Sequence, residues 1–468
     1  ESGSGPLPGQ NPNKSRKQSR AEEQNRAESR AESRGVERAV WREMLGLTTR
    51  RLGWASLARR AHSTAAPKAL DAETIAIIKA TAPVLAEHGY AITSAMYGKM
   101  LSENPDVKSM FNLSHQVPHK GEKLAQQPHA LACSVHAYAA NIDNLGVLAE
   151  AVERIAQKHV SLQVFQEHYP VVGANLLWAI KHVLGDAATP EIMGAWERAY
   201  GTLADILVAR EEEIRTSKAA QPGGWEGWRD FEVVDKVQES TEIASFYLKP
   251  VDGGDLMDYL PGSYTSIRVD TLELKSQRNY TLSKAASNDT WRITVKRESP
   301  ADGAPVGVVS NWLHNEVDVG SVLKLGVPCG DFVLKLENDK PVVFLGAGVG
   351  ITPLVAMADY LLHQTKATNK IFMVTSSRCP EVEAMHDTFE AYGRKHLNFY
   401  LKSIYDEASN DLYTGQINAD VLESVLPSKD NNFYVCGPPG FMNATLGVLR
   451  EWKVPENQIH HEYFGPPQ

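Results

Sequence analysis

Residues 341–353 read Pro341-Val-Val-Phe-Leu-Gly-Ala-Gly-Val-Gly-Ile-Thr-Pro353, and a related stretch, Phe433-Tyr-Val-Cys-Gly-Pro-Pro-Gly-Phe441, follows much later. Each is an apolar run of β type that ends in a glycine-rich turn. Such turns at the carboxyl edge of a parallel sheet present backbone N–H groups to a dinucleotide pyrophosphate. Gly346, Gly348 and Gly350 follow G-x-G-x-G, which departs from the usual G-x-G-x-x-G pattern. The stretch predicts a nicotinamide dinucleotide site, with a tight turn that binds no ligand as the alternative.

Length and composition limit what the chain can be. Its 468 residues and 51.5 kDa suggest about three domains. The formal net charge of -9 argues against a nucleic-acid partner, which would need a basic surface. The 4 cysteines show no metal-ligand spacing and favour a reducing compartment. The longest uncharged run, Pro341 to Ala358, is broken by glycines and prolines, so we expect no membrane span.

Two different segments precede the first apolar pattern. Residues 1–43 are rich in Ser, Gln, Glu and Arg and nearly lack large apolar side chains, so we expect a disordered extension. Residues 44–68 are basic, contain no acidic residue and resemble a mitochondrial transit peptide, with an unstructured basic tail as the alternative. We therefore expect translation to begin at Met44 and the protein to reach the mitochondrial matrix. It would be cytoplasmic if the extension is removed or unused.

The rest of the chain divides into three predicted domains. Residues 69–218 show helical periodicity and predict an all-α domain, which a turn-rich linker at 219–225 follows. The predicted helices are Leu70 to His88, Ala91 to Ser102, Leu131 to Asn141, Gly146 to His159, Pro170 to Leu184 and Pro190 to Arg215.

Strand-like patterns begin after the linker. Residues 226–336 contain short alternating runs, which predict an antiparallel β-barrel. Residues 337–468 alternate apolar strands with helical stretches and predict an α/β domain with a parallel sheet. The predicted strands are Asp230 to Val237, Ile243 to Pro250, Tyr264 to Val269 and Trp291 to Arg297 in the barrel, then Val342 to Leu345, Ile371 to Ser376 and Phe433 to Cys436.

Two motifs in the predicted barrel suit a flavin. Arg278-Asn-Tyr280-Thr281 offers a guanidinium for a pyrophosphate, a ring that can stack on an isoalloxazine and a hydroxyl for a flavin nitrogen. An exposed strand arginine is the alternative for Arg278. Downstream, Gly307-Val-Val309-Ser310 predicts a glycine turn and a serine N-cap before a short helix whose amino end suits phosphate. The order of the motifs indicates a flavin followed by a nicotinamide.

This ordered set of motifs resembles a known family. RxYT, GxVS, GAGVGITP, CGPPGF and the terminal Glu462-Tyr-Phe-Gly465 resemble the ferredoxin-reductase family of flavin-dependent NAD(P)H reductases. With the helical domain in front, the chain is similar to the flavohemoglobins from about Leu70 onward. Val152-Glu-Arg-Ile-Ala-Gln-Lys-His159 and Gly223-Gly-Trp-Glu-Gly227 are specific phrases outside the reductase motifs.

The resemblance implies a globin domain that holds haem b. His159 continues an apolar helical stripe, so its imidazole faces the interior, and the resemblance makes it the ligand of the haem iron. A hydrogen-bonded core histidine is the alternative. Tyr169 and Glu211 would stand behind it, where a carboxylate strengthens the imidazole as an electron donor. The alternatives are a packing ring with a wet hydroxyl for Tyr169 and a surface acid for Glu211.

On the distal side of the haem, the resemblance implies four residues. Tyr97 and Gln127 would donate hydrogen bonds to dioxygen, Leu131 would close the pocket and Phe111 would pack on the porphyrin. Core packing is the alternative for Tyr97 and Leu131. Because Pro128 follows Gln127 and the preceding loop is long, Gln126 could instead face the pocket.

In the reductase half, the resemblance implies one site for FAD and one for NADPH or NADH. Cys436 and Gly437 would lie beside the nicotinamide, although Cys436 also suits a small buried hydrophobe. Phe464 would cover the flavin with Glu462 nearby. Ser377 and Arg378 follow a strand where an adenosine ribose would lie, so Arg378 could accept a 2′-phosphate or be a surface arginine. The remaining cofactor-binding residues in this interpretation are Tyr264, Val349, Thr352, Pro353 and Pro438.

The activity that the resemblance implies is nitric oxide dioxygenation. Electrons would pass from NAD(P)H through FAD to haem, and nitric oxide and dioxygen would become nitrate. We expect a monomer whose partners are small molecules. The alternatives are a haem or flavin reductase of peroxides, disulfides or dioxygen, and an oxygen or nitric oxide sensor that the reductase resets. Joining globin and reductase favours the enzyme, because electron delivery becomes intramolecular.

Overall fold

The computed structural model describes residues 69–118, 123–271, 274–299, 306–335, 338–407 and 415–465. The predicted extension at 1–43 and the predicted targeting segment at 44–68 lie outside the described residues, so both stay predictions. The described chain forms a helical domain, an antiparallel barrel and a parallel-sheet domain in that order, which confirms the predicted fold class. The helices of the first domain are α1 Ala72–Glu103, α2 Pro105–Ser109, α3 Gln126–Ala140, α4 Ala149–Ser161, α5 Tyr169–Leu184 and α6 Pro190–Ala219.

The first helix corrects a sequence prediction. A break between His88 and Ala91 was expected, but α1 runs through it without interruption. Gly89 does not end the helix because it serves packing: a Cβ there would lie 3.4 Å from the Cβ of Ala132 on α3. The small residue lets α1 and α3 approach closely, and a close approach favours a long, continuous α1.

The linker is built around backbone contacts that require glycine. A Cβ on Gly224 would lie 2.1 Å from the carbonyl oxygen of Lys218 in α6, and Gly223 has a φ of +72°. The chain therefore turns sharply as it leaves α6. This turn leads directly into the barrel.

The barrel consists of β1 Arg229–Gln238, β2 Ile243–Pro250, β3 Tyr264–Asp270, β4 Lys275–Thr281, β5 Trp291–Lys296 and β6 Val322–Leu325. The strand order is β4-β3-β6-β1-β2-β5, and an antiparallel bridge between Leu282 and Ile293 brings the two edges together. Alternating side chains from these strands fill the interior around Trp291, Phe231 and Phe246, which are fully buried.

One short helix, α7 Val308–Glu316, follows the barrel strands, and it corrects the predicted N-cap. The residue that caps α7 is Gly307, whereas Ser310 lies inside the first turn. The Ser310 hydroxyl donates to the Gly307 carbonyl at 3.1 Å and accepts from the Glu298 N–H at 3.3 Å. The predicted serine cap is therefore wrong, because this hydroxyl ties the turn to Glu298 in the segment that follows β5.

The last domain is a five-stranded parallel sheet in the order β11-β10-β7-β8-β9. Its apolar strands are covered on both faces, as their nearly continuous hydrophobic sequences require. Its elements are β7 Val342–Ala347, α8 Ile351–His363, β8 Ile371–Ser377, α9 His386–Lys395, β9 Phe399–Tyr405, α10 Ala419–Val425, β10 Asn432–Cys436, α11 Pro439–Glu451 and β11 Ile459–Glu462.

The two glycine-rich turns meet at the carboxyl edge of this sheet. Cys436 lies opposite Gly346 in the β10–β7 pair. A Cβ on Gly350 would lie 2.4 Å from the Cys436 carbonyl oxygen, so only glycine fits there. Gly348 has a φ of +52° and open space where its Cβ would project. The turn after β7 therefore packs against the turn after β10 and leaves its outer side free for a ligand.

The described helices include none that combines the length and the apolar character needed to cross a bilayer.

We predict that Gly350→Ala lowers the stability of the parallel-sheet domain by about 1–3 kcal/mol, because the new methyl group overlaps the Cys436 carbonyl. The measurement is the midpoint of thermal unfolding. Gly447→Ala in α11 is the matched control, since nothing lies within 4 Å of its Cβ position. Equal midpoints for the two variants would contradict the proposed close contact.

Candidate functional site

A buried cluster in the helical domain joins three predicted site residues. The Nδ1 atom of His159, near the end of α4, lies 2.7 Å from Oε1 of Glu211 and 3.1 Å from the Tyr169 hydroxyl. The Tyr169 hydroxyl also donates to Glu211 Oε1 at 2.5 Å. A carboxylate can only accept, so the geometry favours a proton on Nδ1 and a free lone pair on Nε2. Within the described residues, Nε2 has no hydrogen-bond partner.

Burial decides between the interpretations of Glu211 and Tyr169. Glu211 is 0% exposed, so the surface-acid alternative is wrong. Its Oε2 atom has no hydrogen bond within the described chain, although the Arg215 guanidinium lies 3.9 Å away. Burial, and then the nearby Glu211 carboxylate, raises the pKa of Tyr169, so its hydroxyl remains a donor. The Tyr169 hydroxyl is thus buried and hydrogen-bonded to Glu211, so it is not a solvent-exposed group.

Tyr97, Gln127 and Phe111 come together on the other side of the predicted haem region. The Gln127 side-chain amide donates to the Tyr97 hydroxyl at 3.2 Å, and the Phe111 ring meets the Tyr97 ring edge-on with centroids 5.6 Å apart. Burial raises the pKa of Tyr97 to about 12. Leu131 is half-buried on α3. Because α3 begins at Gln126, Pro128 falls in its first turn and leaves Gln127 directed at Tyr97.

The end of α4 docks directly on the barrel strand that carries the RxYT motif. The Asn279 amide donates to the Ser161 hydroxyl at 3.1 Å, and the Gln277 amide donates to the Leu162 carbonyl at 2.8 Å. Ser161 lies two positions after His159. The helix of the predicted haem ligand and the predicted flavin strand therefore share a hydrogen-bonded junction.

The predicted flavin residues lie on the adjacent strands β3 and β4. Tyr264 pairs with Thr281 across these strands, and Tyr280 is half-buried. Arg278 is also half-buried, and its guanidinium donates to the Asn112 side-chain oxygen of the helical domain at 2.8 Å. Arg278 is thus held by specific contacts, unlike the exposed strand arginine considered above.

Near α7, Gly307 and Val309 are constrained by packing. A Cβ on Gly307 would lie 2.5 Å from the Glu298 Cβ, and Val309 is 2% exposed in the barrel core. The first N–H groups of a helix have no partner within it, so the phosphate site predicted at the amino end of α7 stays a prediction that suits this geometry.

In the parallel-sheet domain, the predicted residues divide between ligand-facing turns and the core. Gly346 lies near the end of β7, Gly348, Val349 and Gly350 form the turn after it, and Thr352 and Pro353 lie in the first turn of α8. Pro438 precedes α11, and a Cβ on Gly437 would lie 3.0 Å from the Ala347 Cβ. The Cys436 side chain is 0% exposed in the core. Burial raises the pKa of its thiol well above the usual range, so it acts as a small hydrophobe.

The end of β11 approaches the helical domain. Desolvation, and then the Asp331 carboxylate, raises the pKa of Glu462 to about 7, although Lys158 and Arg154 oppose the shift. The Lys158 ammonium lies 5.0 Å from the centroid of the Tyr264 ring, and Arg154 pairs with Asp331 at 3.1 Å. Phe464, just beyond β11, is 48% exposed. The predicted flavin region is thus bordered by charged residues of α4.

Ser377 ends β8 and Arg378 follows it, next to the nucleotide turn. The Arg378 guanidinium forms an ion pair with Glu242, which lies in the β1–β2 hairpin of the barrel. Arg378 is therefore paired across two domains.

Several contact residues between the domains are not evident from the sequence. The Lys158 ammonium, on α4, lies against the Tyr264 ring of the barrel. The hydrogen bonds between the two domains also involve Asn112, Ser161 and Asn279. Asn279 is the variable position of the RxYT motif. Amphipathic spacing could not reveal them, because it separates buried from exposed faces and does not identify a partner domain.

The described residues include no cluster of three or more His, Cys, Asp or Glu that could bind a metal ion.

Three stretches of the chain match known protein families. Residues 94–207 match the globin family, residues 230–334 match the oxidoreductase FAD-binding domain and residues 344–446 match the oxidoreductase NAD-binding domain. Each stretch lies within one predicted domain range.

Related proteins match over most of the chain. The flavohemoprotein of Bordetella pertussis is 44% identical over 406 residues, which cover 85% of this chain and 98% of that protein. The flavohemoprotein of Halalkalibacterium halodurans is 40% identical over 406 residues, with 85% and 97% covered. A crystal structure of flavohemoglobin from Malassezia yamatoensis with bound FAD and heme is 26% identical, has a TM-score of 0.74 and covers 85% of this chain and 100% of its own.

We predict that Glu211→Ala lowers the free energy of unfolding of the helical domain by about 2–3 kcal/mol, because His159 and Tyr169 lose a buried acceptor. Tyr169→Phe, which removes one donor and keeps the carboxylate, should cost about 1 kcal/mol. Denaturant unfolding followed by helical circular dichroism measures both. If Glu211→Ala costs no more than Tyr169→Phe, the cluster does not depend on the carboxylate.

Proposed function

We propose that this chain, which belongs to the flavohemoprotein family, is an NAD(P)H-dependent nitric oxide dioxygenase. Each nitrate formed requires one nitric oxide, one dioxygen and one electron, so one nicotinamide hydride supplies two turnovers. The observation that carries the proposal is the His159–Tyr169–Glu211 cluster in the globin domain. This domain is joined by hydrogen bonds to the FAD-binding barrel.

The residues present fit a haem. His159 offers an Nε2 lone pair to iron while its Nδ1–H is fixed by Glu211, which is the arrangement of a metal-ligating histidine with a carboxylate behind it. The Malassezia protein binds heme according to its structure. A haem b held in this way would supply iron for dioxygen chemistry, and FAD would supply the conversion of a hydride into single electrons. The Glu211 carboxylate makes the imidazole a stronger donor, which favours oxygen chemistry over simple storage.

On the distal side of the proposed haem site, the Tyr97 hydroxyl can donate a hydrogen bond to a bound ligand. Its hydroxyl oxygen already accepts from Gln127, so its own proton is free for a ligand. With a pKa of about 12, the hydroxyl keeps that proton at neutral pH. Gln127 thus orients Tyr97, and Phe111 holds the ring from its edge. This arrangement supports reaction at a polar site rather than passive gas binding.

The residues of the reductase half fit FAD and a nicotinamide dinucleotide. Arg278, Tyr280 and Thr281 line one strand of the FAD-binding domain, and the free side of Gly348 provides room for a phosphate. The Ser161–Asn279 bond keeps the two halves in contact. Electron delivery within one chain is then independent of protein concentration.

The proposal is tested by NAD(P)H-dependent consumption of nitric oxide with and without dioxygen. We expect rapid consumption with nitrate as the product when dioxygen is present and slow consumption when it is absent. The same protein assayed with peroxide and with dioxygen alone provides the comparison. Equal nitric oxide consumption under both conditions, or a faster peroxide reaction, would favour the reductase alternative.

We predict that His159→Ala abolishes the Soret band of haem and leaves flavin absorbance intact, because the iron loses its ligand while the barrel is untouched. The absorption spectrum of the purified protein measures both cofactors. His182→Ala is the control, since His182 stacks on Trp178 at the exposed side of α5. A normal haem spectrum in His159→Ala would assign the iron to another residue.

A further inference from the structure

At the carboxyl edge of the parallel sheet, where the coenzyme is expected to bind, the Arg378 side chain already forms an ion pair. In a sheet of this type, the residue after the strand next to the nucleotide turn meets the adenosine ribose. An acidic side chain there binds the free 2′-hydroxyl of NADH, whereas an arginine suits the 2′-phosphate of NADPH. Arg378 occupies this position after β8, which lies beside β7.

Glu242 of the barrel binds the Arg378 guanidinium. The backbone on both sides of this side chain is held by hydrogen bonds. The Glu242 carbonyl accepts from the Arg297 N–H at 2.7 Å. The neighbouring Thr241 donates its N–H and its hydroxyl to the Glu381 carbonyl, at 3.1 Å and 3.2 Å. The hairpin that carries Glu242 is therefore fastened to the loop that carries Arg378.

The surroundings of Arg378 are acidic. The Glu407 N–H donates to the Arg378 carbonyl at 2.9 Å, and the Asp406 N–H donates to the Ser377 carbonyl at 3.0 Å. The pKa of Arg378 is raised mainly by its hydrogen bond and charge interaction with Glu242, with a further contribution from Glu407. The Arg378 guanidinium is therefore paired with the Glu242 carboxylate and lies in the field of a second carboxylate, that of Glu407. A 2′-phosphate, which carries nearly two negative charges at neutral pH, would enter an unfavourable field.

We propose that Glu242 sets the coenzyme preference: by holding Arg378 in an interdomain ion pair, it withholds the cation that a 2′-phosphate needs, and the protein prefers NADH to NADPH. The inference rests on the hydride-accepting step of the proposed function and not on the fate of nitric oxide. The side chains of Arg378 and Glu242 are 58% and 31% exposed, so the pair can be broken at moderate cost.

The test measures kcat/KM for NADH and NADPH on the full-length protein with its flavin and haem bound. Ferricyanide serves as the electron acceptor, because it can take electrons from the reductase half directly. A failure of the nitric oxide reaction therefore leaves the coenzyme ratios measurable. The variants are Glu242→Gln, Arg378→Ala and the double variant. Asp230→Asn is the control, since it removes an equally exposed barrel carboxylate that pairs with Lys324 at 2.8 Å.

We expect the unaltered protein to favour NADH. Glu242→Gln should raise the ratio of NADPH to NADH efficiency by about two- to fivefold, as expected for release of one exposed ion pair. Adding Arg378→Ala should remove that gain, and Asp230→Asn should leave the ratio unchanged. Flavin content and the thermal midpoint of each variant confirm that the fold is kept.

Three results would overturn the proposal. The first is equal or better use of NADPH by the unaltered protein, and the second is an unchanged ratio in Glu242→Gln. The third is an Arg378→Ala variant that loses as much NADPH efficiency alone as it does beside Glu242→Gln, since Arg378 would then already reach the phosphate.

Discussion

The structure depends on the docking of α4 against the barrel. Ala156 and Val160 of this helix share an apolar cluster with Tyr264, Val327 and Cys329. Hydrogen bonds surround that cluster, from Asn279 to Ser161 and from the Gly330 N–H to the Gln157 amide oxygen. Because α4 also carries His159, any rotation of the helical domain on the barrel would displace the candidate iron ligand. One packed surface thus fixes the geometry between two redox centres that are built by different halves of the chain.

Local sequence patterns predicted the fold class well because each pattern reflects a single nearby constraint. The apolar run at 342–347 and the glycines after it were sufficient for a parallel strand and its turn, and helical spacing was sufficient for the first domain. The exceptions have physical causes. Gly89 lies in the predicted break between two helices but is a packing residue. Ser310 was predicted as a cap, but its hydroxyl binds the Glu298 N–H just beyond β5. Both depend on a neighbour that is distant in sequence or on the other side of a turn.

The candidate site shows the same division. The family resemblance placed His159, Tyr169 and Glu211, and the structure brings these three within hydrogen-bonding distance of one another. The sequence could not show which charged residues of different domains lie close together. Lys158, Asp331 and Glu462 come from three separate segments and meet only after folding. The raised pKa of Glu462 is a property of that assembly, since an isolated glutamate would titrate in its ordinary range.

The contact between Gly350 and the Cys436 carbonyl has a consequence for biosynthesis. The two loops belong to strands that are adjacent in the sheet but far apart along the polypeptide. During translation, the segment with the glycine triplet leaves the ribosome well before its supporting partner exists, and long-range pairing of this kind forms slowly. The globin segment can fold while the coenzyme cleft is still incomplete. Synthesis that stops before β10 would thus leave a chain with a complete globin segment and an incomplete NAD-binding domain.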